Sequence, residues 1–233
     1  MLRRSSVAHH PDQTQALSVR STLSVWDRLA PNYGSRWPAA LADFIAARKG
    51  YAGRLMAAVH TDMVEYSRLF GIDDTGTVAR MRDLRRGLIG PAIRRHRGRL
   101  VQTAGDSMLI TFASVADAVK CAVTIQYELA IENSVWPDDR RMRLRVGVDL
   151  GDVISDGRDF HGDGVIIAAR LQAVCPPGGV CISRAVHDRG GDRLGLPYEA
   201  LGPLMLKNVV RPVEAFVLWP SPYEMAIARR LVA

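Results

Sequence analysis

The 233-residue sequence predicts an α+β chain folded as a ferredoxin-like sandwich. Apolar periodicities follow one another as strand, helix, hairpin, helix, strand, an order that is not the regular alternation of a doubly wound parallel sheet. A hydrophobic share of 48% supplies one core of roughly 150 to 200 residues with an appendage, and not two full domains. The expected organisation is an N-terminal extension over residues 1–53, a main domain over residues 54–219 and a tail over residues 220–233.

Residues 1–22 are polar, without helical or strand period, and are read as unfolded. Leu41, Phe44, Ile45 and the stem of Arg48 recur at helical spacing after Pro38, which predicts a short helix over Pro38–Lys49. The apolar run Leu55–Thr61, closed by Asp62, reads as a buried strand leading into a turn over Met63–Ser67. Val78, Met81, Leu84, Leu88 and Ala92 mark one face of a long helix that Pro91 should bend or end. Leu100–Thr103 and Met108–Phe112 form a hairpin around Ala104-Gly105-Asp106-Ser107, with an acid at its tip.

Val115, Ala118, Val119, Ala122, Ile125 and Leu129 give a second amphipathic helix, and Met142–Leu150 alternates as a strand should. A glycine-rich loop over Gly157–Gly164 precedes a helix over Val165–Ala173, stopped by Pro176-Pro177-Gly178-Gly179. Strands at Val180–Ser183 and Val213–Trp219 complete the domain. The tail reads as a frayed terminus.

Composition excludes several classes. No apolar run approaches the roughly 18 residues of a spanning helix, and the arginines at positions 3 and 4 are followed by no apolar stretch that would make a signal segment. The expected compartment is the cytoplasm. Cys121, Cys175 and Cys181 lack paired CxxC spacing and a histidine cluster, so they read as buried small hydrophobes rather than a disulfide framework or a zinc site. The net charge of +7 is concentrated in residues 1–53, which hold 7 basic and 3 acidic side chains. No basic and aromatic stripe points to nucleic acid.

Two carboxylates stand where chemistry is possible. Asp62 ends the first strand and Asp106 tips the hairpin, so the predicted topology lets them converge at neighbouring strand ends. Mg²⁺ takes oxygen ligands, usually few carboxylates plus substrate phosphate, which this pair suits. An aspartate at a strand end is also a helix cap or turn former.

The text around these residues adds more. Val59-His60-Thr61-Asp62-Met63-Val64-Glu65-Tyr66-Ser67-Arg68-Leu69 is followed in order by Val101-Gln102-Thr103-Ala104-Gly105-Asp106-Ser107 and Arg145-Val146-Gly147-Val148-Asp149-Leu150-Gly151-Asp152-Val153. Then come His161-Gly162-Asp163-Gly164-Val165-Ile166-Ile167-Ala168-Ala169-Arg170-Leu171 and Leu206-Lys207-Asn208. In this order, over residues 54–219, the set resembles the class III nucleotidyl cyclases, the adenylate/guanylate cyclase catalytic domain in its bacterial form.

The resemblance implies a dimer with active sites shared across its interface and two Mg²⁺ or Mn²⁺ ions per site, held by Asp62 and Asp106. It implies conversion of ATP to cyclic AMP and pyrophosphate, with Arg170 and Lys207 supplied by the partner chain as catalytic residues. Backbone N–H groups around Met63 to Tyr66 would cradle phosphate. A homodimer is expected; a heterodimer, in which another chain supplies a missing group, is the alternative.

Three positions bear on substrate and rate. Gln102, at the family's base-reading position, can donate to adenine or accept from guanine, so GTP stays open. Asp159, at the other base-reading position, could accept from the adenine amino group; it also reads as a cap of the following helix. Ile166 stands where the family has an asparagine that orients ribose and α-phosphate, four residues before Arg170 and on its helix face. The expectation is a slow cyclase; the alternative is a pseudo-cyclase that binds nucleotide or a partner chain without turnover.

Overall fold

Ala57, Ala58 and Val59 are buried in succession, so Arg54–Met63 is a strand covered on both faces, inside a mixed sheet. The computed structural model describes residues 53–155, 159–191 and 196–220. The expected helix over Pro38–Lys49, the polar segment before it, and residues 221–233 of the tail lie outside the described residues.

Strand β1 (Arg54–Met63) is followed by three helices: α1 (Tyr66–Ile72), α2 (Asp74–Leu84) and α3 (Gly90–Arg95). Then come β2 (Arg99–Ala104), β3 (Ser107–Phe112), α4 (Val115–Glu132), β4 (Leu144–Ser155), β5 (Phe160–His161) and α5 (Asp163–Val174). The chain continues through β6 (Val180–Ser183), α6 (Arg184–Val186), β7 (Tyr198–Leu204) and β8 (Val213–Leu218). The sheet order is β2-β3-β1-β4-β6-β8-β7, with β5 paired on the far end of β4. β4 and β6 run parallel, while β1 runs antiparallel to both β3 and β4.

Period-two alternation splits the core between two faces. Ala57, Val59, Ile110, Phe112, Val146 and Val148 pack with Val119, Ala122 and Ile125 of α4. On the opposite face Ala58, Leu109 and Val153 meet Ala168 of α5, and further along Cys181 and Val217 meet Leu171 and Cys175. All three cysteines are buried and free. Helix α4 is capped by Ser114, whose Oγ accepts from the Asp117 N–H at 3.3 Å. Its buried Gln126 donates to the carbonyls of Leu144 and Gly179 at 3.0 and 2.8 Å, tying helix to sheet.

Several boundaries differ from expectation. β1 runs through Asp62 to Met63, so Asp62 lies within the strand, and the helix that follows, α1, starts at Tyr66. The long second helix is three pieces: α2, a π turn over Arg85–Ile89, and α3, in whose first turn Pro91 sits. The chain runs on as helix from the π turn, so Pro91 removes one helical donor without ending the helix. Met81, Leu84 and Ala92 are buried as expected, whereas Val78 is half exposed. β7 has no clear strand signature, because Gly202-Pro203 reads as a turn; at a sheet edge the proline costs no ladder bond.

Helix α5 approaches β4 more closely than side chains would allow. A Cβ on Gly147 would stand 2.1 Å from the Ala168 carbonyl oxygen and 2.3 Å from the Gln172 nitrogen. These obstacles are backbone atoms of the helix, which cannot rotate away. Gly147→Ala should therefore lower stability by about 3 kcal/mol by forcing α5 off the sheet. Urea denaturation followed by tryptophan fluorescence measures this, and a midpoint equal to that of the parent chain would show that the helix shifts without cost.

Candidate functional site

The site is built where β1 ends. Its register sets Asp62 opposite Arg145 of β4, and Asp62 shares the parity of Ala58, so it leaves the sheet on the α5 face. After Met63 the chain is pinned to β4 by the Val64 N–H donating to the Arg143 carbonyl at 2.8 Å. Glu65 then takes a left-handed conformation, φ 53°, and starts α1. The Glu65 carboxylate accepts from Arg68 at 2.7 Å, closing the first turn.

Asp106 arrives from the tip of the β2–β3 hairpin. Its Oδ2 accepts from the Met63 N–H at 3.3 Å, which sets its carboxyl beside that of Asp62. The predicted convergence of the two acids is thus present within one chain. Burial pushes the Asp62 carboxyl above its ordinary range, the Asp106 charge adds to that, and the Arg145 guanidinium opposes it. The Arg145 Nη2 lies 3.9 Å from Asp62 Oδ2. Arg145 was not singled out by sequence reasoning. It looks like one polar member of an alternating strand until the β1–β4 register is known.

Two half-exposed carboxylates in contact form a hard oxygen donor set, which fits a divalent cation. Among the described residues no group of three or more His, Cys, Asp or Glu side chains is placed to hold a metal ion. The expected phosphate cradle is narrower than the sequence implied. The Met63 and Val64 N–H groups are already engaged, so the part of the loop left for an anion is Glu65 to Ser67 at the start of α1.

The remaining candidates lie elsewhere on the chain. Ile166 and Arg170 stand four residues apart on α5, both partly exposed, on the side away from buried Ala168, Leu171 and Gln172. The Arg170 Nε is buried without a hydrogen-bond partner. Lys207 is exposed between buried Leu206 and Asn208, whose φ is 61°. No ion pair or hydrogen bond joins Arg170 or Lys207 to either carboxylate among the described residues. Gln102 is exposed on edge strand β2 opposite Leu109, beside a bulge. Asp159 does not cap α5, which starts at Asp163 behind Gly162, so that expectation is corrected.

Known proteins share this fold. No protein-family model matches the chain. It is 36% identical over 175 residues to the putative adenylate cyclase 3 of Rhizobium meliloti, covering 75% of this chain and 30% of that one. A solved adenylate/guanylate cyclase/hydrolase from Silicibacter pomeroyi is also 36% identical, with a TM-score of 0.68 over 73% of this chain and 99% of that one. The chain belongs to the class III adenylate/guanylate cyclase family. The guanylate cyclase domain of RhGC from Catenaria anguillulae, solved with GTP, shares the fold at 15% identity and a TM-score of 0.57, over 72% of this chain and 97% of that one.

The cyclase domain thus has the α+β sheet and helices of this family. It spans about a third of the length of the Rhizobium relative. No helix among the described residues is long and apolar enough to cross a membrane.

The carboxylate pair has a consequence for stability. Folding raises the Asp62 pKa, so its ionised form is a cost to the folded state that is fully present above the raised value and absent below the ordinary carboxylate value. Asp62→Asn should therefore raise the urea midpoint of the chelator-treated protein at pH 8, and the gain should shrink as the pH falls towards 4. A midpoint at pH 8 no higher than that of the parent chain would count against the repulsion.

Proposed function

We propose that this cyclase domain converts ATP to cyclic AMP and pyrophosphate in the cytoplasm, at a site completed by a second copy of the chain. The observation that carries the proposal is the contact between Asp62 and Asp106 at the end of β1. The two carboxylates would hold two Mg²⁺ or Mn²⁺ ions, which when bound lower the pKa of a ribose 3′-hydroxyl and neutralise triphosphate charge. Arg145, beside Asp62, adds a fixed cation on the same side, and the N–H groups of Glu65 to Ser67 face the phosphates. The 3′-hydroxyl gives its proton to solvent, its oxygen attacks the α-phosphorus in line to form a new P–O bond, and the bond from that phosphorus to the oxygen bridging to the β-phosphate breaks, releasing pyrophosphate.

The partner's copy of the α5 face brings the remaining charges. Arg170 suits the charge that develops on the α-phosphoryl group, since a planar guanidinium follows its changing geometry, and Lys207 suits the triphosphate as a point charge. Gln102 and Asp159 would meet the base. Asp159 favours the adenine amino group, while Gln102 serves either purine. Ile166, beside Arg170, offers no hydrogen bond to the ribose or α-phosphate. A missing donor in a preorganised site costs about 2 to 4 kcal/mol, or a hundred- to a thousand-fold in rate, so the enzyme is slow.

Ile166 also favours a second reading, a pseudo-cyclase that binds nucleotide or a partner chain without turnover. Cyclic nucleotide production by the purified chain, offered ATP and then GTP with Mn²⁺, separates the two. Cyclic AMP that is lost in Asp62→Ala is the expected result; no product from either nucleotide, from a folded dimer, overturns the enzyme reading. Ile166→Asn should raise kcat about a hundred-fold with little change in the KM for ATP. An unchanged kcat would mean that the residue does not face the substrate.

A further inference from the structure

Within the hairpin that carries Asp106, β3 is buried, whereas the outer strand and the tip have little to stand on. β2 is an edge strand paired only with β3, mostly exposed, and bulged between Leu100 and Gln102. At the tip Gly105 takes φ 60°, in the left-handed region that a turn of two residues demands. Between this tip and the helices lies a cavity of about 340 Å³, lined by Tyr66, Met81, Arg82 and Arg86 among others. Apolar packing therefore does not fix where the tip sits.

One side chain reaches the tip from the helices. Arg85 donates from Nη2 to the carbonyl oxygen of Gly105, the residue before Asp106. It opens the π turn Arg85–Ile89, closed by the Gly90 N–H on the Arg85 carbonyl, and such turns inside helices are frequent at functional sites. The Arg85 Nε is buried with no partner, so its guanidinium is committed to the hairpin and not to a carboxylate. The Met63 N–H holds the Asp106 carboxylate from one side, and Arg85 holds the preceding carbonyl from the other.

We propose that Arg85 is a positioning residue for Asp106: it ties the hairpin tip to the π turn and so sets the spacing of the two metal-binding carboxylates. The proposal rests on the reading of Asp62 and Asp106 as metal ligands. Residues that orient metal ligands from behind typically contribute ten- to a hundred-fold in metal affinity. The neighbouring Arg82 lines the same cavity but pairs with Asp83, at 3.5 Å, and makes no bond to the tip.

Amide hydrogen exchange across residues 104–107 of the full chain, titrated with Mn²⁺, tests this. In the parent chain Mn²⁺ should slow exchange at the tip, and Asp106→Asn should abolish that protection. Arg85→Gln should speed tip exchange without metal, leave Met108 to Phe112 unchanged, and raise the Mn²⁺ midpoint about tenfold. Arg82→Gln should match the parent. Arg85→Lys keeps the charge with a single donor group and should fall between; it replaces Arg85→Gln if that variant does not fold. Parent-like exchange and midpoint in the Arg85 variant, with Asp106→Asn still abolishing protection, overturns this proposal alone, as does an equal effect of Arg82→Gln. No Mn²⁺ protection in the parent, or protection that survives Asp106→Asn, overturns the metal reading and this proposal with it.

Discussion

Helix α5 lies on the sheet backbone to backbone, and the arrangement of the remaining site follows from that contact. Gly147 leaves no side chain between β4 and the helix, so Ala168 and Gln172 come down onto the strand. With those residues and Leu171 facing inward, helical periodicity obliges Ile166 and Arg170 to face outward. A bulkier residue at position 147 would lift the helix, and the outward pair would move with it.

The carboxylate pair obeys a different constraint. Burial and the neighbouring Asp106 raise the cost of ionising Asp62, and Arg145 offsets only part of it. The fold holds the two acids together through backbone geometry: the β1–β4 register fixes Asp62, and the Met63 N–H anchors Asp106. Local destabilisation of this kind suits the divalent-cation site proposed for the pair, since a bound cation would offset it.

Much of this was legible in the sequence. Periodicity located β1, the hairpin, α4, β4 and α5 because each buries one face, and the two aspartates stood out because each interrupts such a pattern at its end. Less visible were features set by distant pairing. Arg145 gained meaning only once β1 was known to lie against β4, and β7 was hidden because an edge strand tolerates the Gly202-Pro203 pair. The π turn escaped for a related reason: a helix pattern is read at a fixed 3.6 residues per turn, and the extra residue shifts that phase at Arg85.

The two halves of the chemistry sit apart in one chain. The acids occupy the end of β1, while Arg170 and Lys207 face outward with no carboxylate of the site to neutralise them. In the proposed dimer each copy gives its acids to one site and its outward cations to the other. Ile166 belongs to the outward half, so in that dimer its missing hydrogen bond would fall on the step in which the α-phosphoryl group rearranges, and not on the carboxylates. On that proposal the ions held by the acids would bind the triphosphate together with Lys207 of the other copy, and the rate would be governed by what Arg170 and Ile166 of that copy offer the α-phosphoryl group.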